Sequence, residues 1–183
     1  MKNKTATPRR RTKNLALASI LCALGVILLM LSSVVEVLDL TLCAFASFLV
    51  ALTVIELGSF WPYLVYLVTG VLSALLVPNK FAAVVYILFA GIYPIFKEMF
   101  ERLHYVITWL LKFSFFNMAL LLVVLFSVYI LHLEDTGMAY KISVMLLGNG
   151  AFLLYDIALS KIIQLYIIKL RRMLGLKNYF DNN

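Results

Sequence analysis

The chain has 183 residues, of which 64% are apolar and only 14% charged, and its mean hydropathy is +1.00. A soluble domain carries roughly 45–50% apolar and about 25% charged residues, so too little polar surface remains here to face water. That excludes a soluble enzyme, a disordered tail and a nucleic-acid module, and reads the chain as an integral membrane protein. The net charge of +7 reports topology, because of where the charges fall. Cys22 and Cys43 both lie inside apolar runs and offer neither a disulfide framework nor a zinc spacing.

Residues 1–14 form a polar arm in which Arg9, Arg10, Arg11 and Lys13 precede the first apolar run, the pattern of a cytoplasmic anchor. The run from Leu15 to Val35 is of span length and lacks an A-x-A-like cleavage site after it. It therefore reads as a retained helix and not as a signal peptide. Further spans are predicted at about 38–58, 60–77, 81–96, 107–131 and from 138 into the 160s. All are expected to be helices, because an open strand in lipid leaves backbone groups unpaired. The third and fourth are short, Pro62 and Pro94 sit near their ends, and a charged loop is expected from Lys97 to Tyr105.

The predicted fold class is thus all-α: a six-helix transmembrane bundle over residues 15–170, with a basic arm at 1–14 and a basic tail at 171–183. Charge tests the count. Of the 16 Lys and Arg, only Lys80 and Lys141 fall on the predicted outer side, while Glu36, Asp39, Glu134 and Asp135 all do. Five or seven spans would spoil that bias, so both termini are expected in the cytoplasm. Beyond Ser160 the last helix becomes basic, with Lys161, Lys169, Arg171 and Arg172 among apolar residues. It reads either as a helix lying on anionic lipid or as a docking surface for a cytoplasmic partner.

Charge inside hydrocarbon costs at least ~2.5–3.5 kcal/mol, so each intramembrane ion needs a reason. Two acids qualify, Glu56 and Asp156. Asp156 lies 18 residues beyond Met138, about 27 Å along a helix axis, which puts it near the cytoplasmic face. Lys97, Lys112 and Lys161 are then within reach for ion pairing, and proton or ion coupling is the alternative. Asn117 and Asn149 are neutral but equally out of place. Asn149, between Gly148 and Gly150, reads as helix–helix glue or as the lining of a binding cavity.

The outer rim carries the remaining polar residues: Glu36, Asp39 and Thr41, then Asn79 and Lys80, then His132, Tyr140 and Lys141 beside the last outer loop. They are either solvated loop ends or the lining of an outer cavity with Tyr86 and Asn149 beneath. Lys80 and Lys141 would meet an anionic ligand group or pair with Asp135 or Glu36. No H-E-x-x-H, G-x-x-x-x-G-K-[ST] or G-x-S-x-G run is present, and His104 and His132 are expected on opposite sides of the membrane. No metal site, cofactor site or catalytic constellation is therefore expected, and the chain does not read as an enzyme.

Small residues crowd the first span: Ala16, Ala18, Ser19, Cys22, Ala23 and Gly25. The pairs Ser19/Ala23 and Ala18/Cys22 are each four apart, giving smooth faces for packing within the bundle or against another membrane subunit. With its basic arm leading into "KNLALASILCALGVIL" and its short third and fourth spans, the chain resembles the substrate-binding S component of energy-coupling factor transporters. In that family a small-residue motif, Ala-x-x-x-Ala, faces the transmembrane coupling subunit, and Ser19-x-x-x-Ala23 beside Ala16 is its nearest match here. The segment "LLVPNKFAAVVYILFAGIYPIFKEMFERL" is also similar to uncharacterised membrane proteins of Gram-positive bacteria.

What the first resemblance implies is a capture subunit in a bacterial cytoplasmic membrane. It would bind a small, vitamin-like molecule from outside and deliver it with a coupling subunit and cytoplasmic ATPases. The competing reading is a membrane scaffold, similar in layout to the six-span rod-shape morphogenesis protein, recruiting partners through its cytoplasmic face. Membrane lipid is a partner in both readings, and nucleic acid in neither.

Overall fold

The computed structural model describes residues 8–58, 60–78, 80–129 and 138–170. Asn79, His132, Glu134, Asp135 and the tail from 171 lie outside the described residues, as do the side chains of Glu36, Tyr140 and Lys141. All regular structure among the described residues is helical: α1 (Pro8–Ser32), α2 (Asp39–Glu56), α3 (Trp61–Leu76), α4 (Lys80–Val85), α5 (Tyr93–Phe100), α6 (Tyr105–Tyr129) and α7 (Met138–Leu165). Tyr86–Ala90 and Tyr166–Leu170 are π-helical turns. Five stretches are long and apolar enough to cross a membrane: 11–32, 39–56, 80–100, 105–126 and 143–169. α3 has 16 residues, about 24 Å of rise against a hydrocarbon core of about 30 Å.

Two boundaries differ from the sequence reading. Helix α1 begins at Pro8, inside the basic arm, where a proline fits because the first turn needs no donor. Lys97 does not open a loop. It sits in the last turn of α5 and is 3% exposed, because carboxylates neutralise it there. The stretch 80–100 is accordingly of span length, and the connection after it shrinks to 101–104.

The described residues fall into two compact units that divide between Ile95 and Phe96. In the first unit, Ala18, Leu21, Cys22, Val26 and Leu29 form one buried stripe of α1. It meets the buried stripe Leu42, Cys43, Ala46 and Val50 of α2, and small side chains let the backbones approach. Glycine ends α2: Gly58 adopts φ +57, and its N–H donates to the Thr53 carbonyl at 3.0 Å. The π turn at 86–90 is closed by the Gly91 N–H donating to the Tyr86 carbonyl at 2.7 Å. Tyr66 steadies that turn by donating its hydroxyl to the Ile87 carbonyl at 2.8 Å. Pro94 lacks the N–H that would bond back to Ala90, so the helix breaks just before α5.

The second unit is built on an antiparallel register between α6 and α7. Lys112 meets Asp156, Phe116 stacks on Phe152 with centroids 4.6 Å apart, and Gly148 lies against Leu120 and Phe116. Each step of four up α6 is a step of four down α7. Phe113 adds an edge-on contact to Phe152 at 5.7 Å.

Glycine 91 is a packing requirement. A β-carbon there would stand 2.7 Å from both Tyr66 Cδ2 and Tyr86 Cζ, ring atoms with no free end to swing away. Gly91→Val should destabilise the protein by about 1–3 kcal/mol, read as a lowered melting temperature in detergent. Gly150→Ala is the control: nothing lies within 4 Å of its β-carbon, and alanine is the better helix former by about 1 kcal/mol. Its melting temperature should hold or rise.

Candidate functional site

The sequence nominates polar residues in three places, and the structure uses them differently. Lys80 donates to the Ala74 and Val77 carbonyls at 2.8 and 3.0 Å, so it caps the C-terminal end of α3. The partial negative charge there favours a cation. Asp39 is the acid of the first turn of α2, where the opposite end of the helix dipole favours a carboxylate. Asn149 and Asn117 bind one another reciprocally, each amide donating to the other's oxygen at 3.0 Å. Their second N–H groups donate to the Met145 and Phe113 carbonyls. One N–H of each amide thus ties α6 to α7, and the other anchors the side chain to its own helix. Glu56 is the half-buried last residue of α2.

Asp156 is the hub of the one deep charge cluster found among the described residues. It is 3% exposed, on the stripe of α7 that also buries Phe152 and Leu159. Lys112 donates to its Oδ2 at 2.9 Å and its Oδ1 at 3.2 Å, and Lys97 donates to the same Oδ1. Lys97 also donates to the Ser160 hydroxyl at 2.8 Å, and that hydroxyl donates to the Asp156 carbonyl. Glu101 closes the cluster, 2.9 Å from Lys97 and 3.0 Å from Lys112. Trp109 lies 5.4 Å from the Lys112 ammonium. Two ammonium groups face two carboxylates, so the cluster is neutral as a whole.

The sequence anticipates Lys97 and Lys112 as partners of Asp156 and misses Glu101 and Ser160. The available signal was spacing: Glu101 is four residues from Lys97, and Ser160 four from Asp156, so each shares a helix face with its neighbour. Lys161, the third expected partner, is exposed. Glu101, half exposed, is the member of the cluster open to water. Burial pushes its carboxyl up, but hydrogen bonds and charge from Lys97 and Lys112 outweigh that and hold it below its ordinary value of 4.5.

In the first unit the unexpected feature is polar and neutral. Tyr86 and Thr69 are 0% and 1% exposed. Thr69 lies close enough to Cys22 and Tyr86 for polar interaction, yet neither its hydroxyl nor that of Tyr86 completes a hydrogen bond of ordinary geometry with a described residue. Of the nominated outer-cavity residues whose side chains are described, Tyr86 is buried deepest. On α1 the nominated Ala16, Ser19 and Ala23 are all exposed, while Ala18, Cys22 and Gly25 are buried. One helix thus carries two small-residue faces, and its own fold uses one of them. Among the described residues no cluster of His, Cys, Asp and Glu could hold a metal ion. No family model, curated protein or solved structure matches this chain.

The charge cluster makes two predictions. Asp156→Leu leaves two buried ammonium groups sharing the single half-exposed carboxylate of Glu101 and should cost about 3–5 kcal/mol, read as loss of the folded detergent-solubilised protein. Adding Lys97→Met and Lys112→Met should restore most of that, because the buried charges are then all gone and the remaining Glu101 carboxylate is half exposed to water. A Glu101 carboxyl lowered by folding stabilises the protein at pH values above its ordinary range and ceases to as pH falls through the lowered value. Melting temperature should therefore fall below about pH 4.5, and Glu101→Gln should flatten that acid limb.

Proposed function

We propose that the chain is the substrate-capture subunit of an ATP-driven uptake transporter. It takes a small, vitamin-like molecule from the outer side of a bacterial cytoplasmic membrane and passes it on through a coupling subunit and cytoplasmic ATPases. One observation carries the reading: the uncompleted hydroxyls of Thr69 and Tyr86 in the interior of the first unit. A buried polar group without its hydrogen bond costs about 1–3 kcal/mol, so a polar ligand atom that supplied the bond would recover that energy on binding. Tyr86 also begins a π-helical turn, a distortion found frequently at functional sites.

The exposed strip Ala16, Ser19, Ala23 supports the second half of the reading. Small residues on a lipid-facing helix let another helix's backbone approach closely. The sequence has no phosphate loop, so in this reading ATP is hydrolysed on separate partners.

Tagged protein drawn from its native membrane in mild detergent should bring down an ATPase pair and a second membrane subunit. Ser19→Leu with Ala23→Leu should release them without loss of insertion. Recovery of cell-wall or cytoskeletal proteins instead overturns the reading in favour of a scaffold. Small molecules extracted from the purified protein should fall at least tenfold with Tyr86→Phe and Thr69→Val, which keep the packing and remove the hydroxyls. Undiminished retention takes both residues out of the site.

A further inference from the structure

The N-terminal ends of α1 and α3 enclose a cleft of about 360 Å³, lined by Arg11, Thr12, Asn14, Leu15 and Trp61. Its position along the chain fixes its level. Arg11 begins the apolar stretch 11–32, and the basic cluster Arg9, Arg10, Arg11 and Lys13 stands at that same point, so the cleft lies where a span leaves the headgroup region. Trp61 begins α3, and tryptophan is the residue that favours this boundary.

The lining sorts into two chemistries. Arg11 is exposed, supplies a guanidinium fork, and forms no ion pair with a described residue. Thr12 and Asn14 add a hydroxyl and an amide beside it. Leu15 and the Trp61 ring supply apolar surface. No acid is among the lining residues and the first turn of α3 contains none, so no described residue of the cleft neutralises Arg11.

We infer that this cleft holds the headgroup of an anionic phospholipid. The phosphodiester sits on Arg11 with Thr12 and Asn14, and the glycerol and first methylenes lie along Leu15 and Trp61. A guanidinium matches a phosphate with two parallel hydrogen bonds, whereas a zwitterionic lipid would bring its own cation to an already basic surface. The volume falls within the range of small-molecule sites, which begins at about 300 Å³. This site is independent of the transport reading and stands if the chain is a scaffold.

The chain has two tryptophans, so Trp109→Phe leaves Trp61 as the reporter. The variant is placed in phosphatidylcholine vesicles containing one-fifth brominated phosphatidylglycerol or, in parallel, one-fifth brominated phosphatidylcholine. Bromine quenches the indole on contact, so the brominated anionic lipid should show an apparent affinity for Trp61 about fivefold higher, the contribution of one interfacial cation. Arg11→Gln should abolish the preference, while Lys169→Gln, at an exposed position on the last helical turn, should leave it intact. Equal quenching by the two lipids, or a preference that survives Arg11→Gln, overturns the proposal. Added millimolar glycerol 3-phosphate should not relieve the quenching. Relief would make the occupant a soluble phosphate ester and overturn the lipid assignment.

Discussion

Asp156 accepts hydrogen bonds from two lysine ammonium groups in the interior of the second unit, and the placement of its helices depends on that arrangement. An unpaired charge there would be costly, so α5, α6 and α7 cannot rotate independently. On a helix a one-residue shift turns a side chain by about 100°, enough to remove Lys112 from Asp156 altogether. Once the ions are in register, the Phe116–Phe152 stack falls one turn away and the Asn117–Asn149 pair beyond it. The same constraint explains why α5 runs through Lys97 to Phe100. Its ammonium is neutralised without leaving the protein, and the Thr108 hydroxyl of α6 then reaches the Phe100 carbonyl at 2.7 Å.

The first unit is held by the opposite means. Its contacts run through Ala18, Cys22, Gly25, Cys43, Ala46 and Ala82, side chains too small to keep backbones apart. Close approach has a geometric consequence. Tyr86 must lodge its ring against a glycine, and Gly91 provides that place only because the helix departs from α geometry at 86–90. The π turn, the glycine and the buried tyrosine are therefore one device.

Much of the helical layout was legible because apolar run length is a one-dimensional property. The positions of α2, α3, α6 and α7 follow from it within a few residues, whereas α1 starts seven residues before its apolar run. What escaped is long-range. Asn117 and Asn149 are both conspicuous in the sequence, but nothing in a sequence says that residues 32 apart are each other's partners. Lys80 reads as the partner of an anionic ligand group or of Asp135 or Glu36, and only the end of α3 beside it reveals the carbonyls it caps. Lys97 reads as the start of a charged loop even though Asp156 is a foreseeable partner, because that reading misses the i,i+4 carboxylate of Glu101 that also neutralises it within the helix. The small residues of α1 were visible, but which of their two faces the fold consumes was not, since both repeat every four residues.

The uncompleted hydroxyls are informative because the same unit shows how a buried hydroxyl is ordinarily satisfied. Ser32, Thr53 and Ser73 are each wholly buried in apolar helices, and each donates to the carbonyl three residues back, at 2.8, 2.6 and 2.9 Å. That local bond is open to any serine or threonine on a helix and needs no partner from elsewhere. Thr69 sits on the same helix as Ser73, one turn earlier, with the same burial, and does not complete such a bond. Its methyl group is turned toward Gly25, close to where a β-carbon would stand. The glycine therefore accommodates the threonine, and the hydroxyl is left on the side of Cys22 and Tyr86. Thr69 is thus packed closely against α1 at Gly25, and a second buried hydroxyl, that of Tyr86, lies beside it. Two buried hydroxyls thus lie side by side in an apolar interior, neither completing a well-formed hydrogen bond with a described residue, and they are the polar locus on which the capture reading rests.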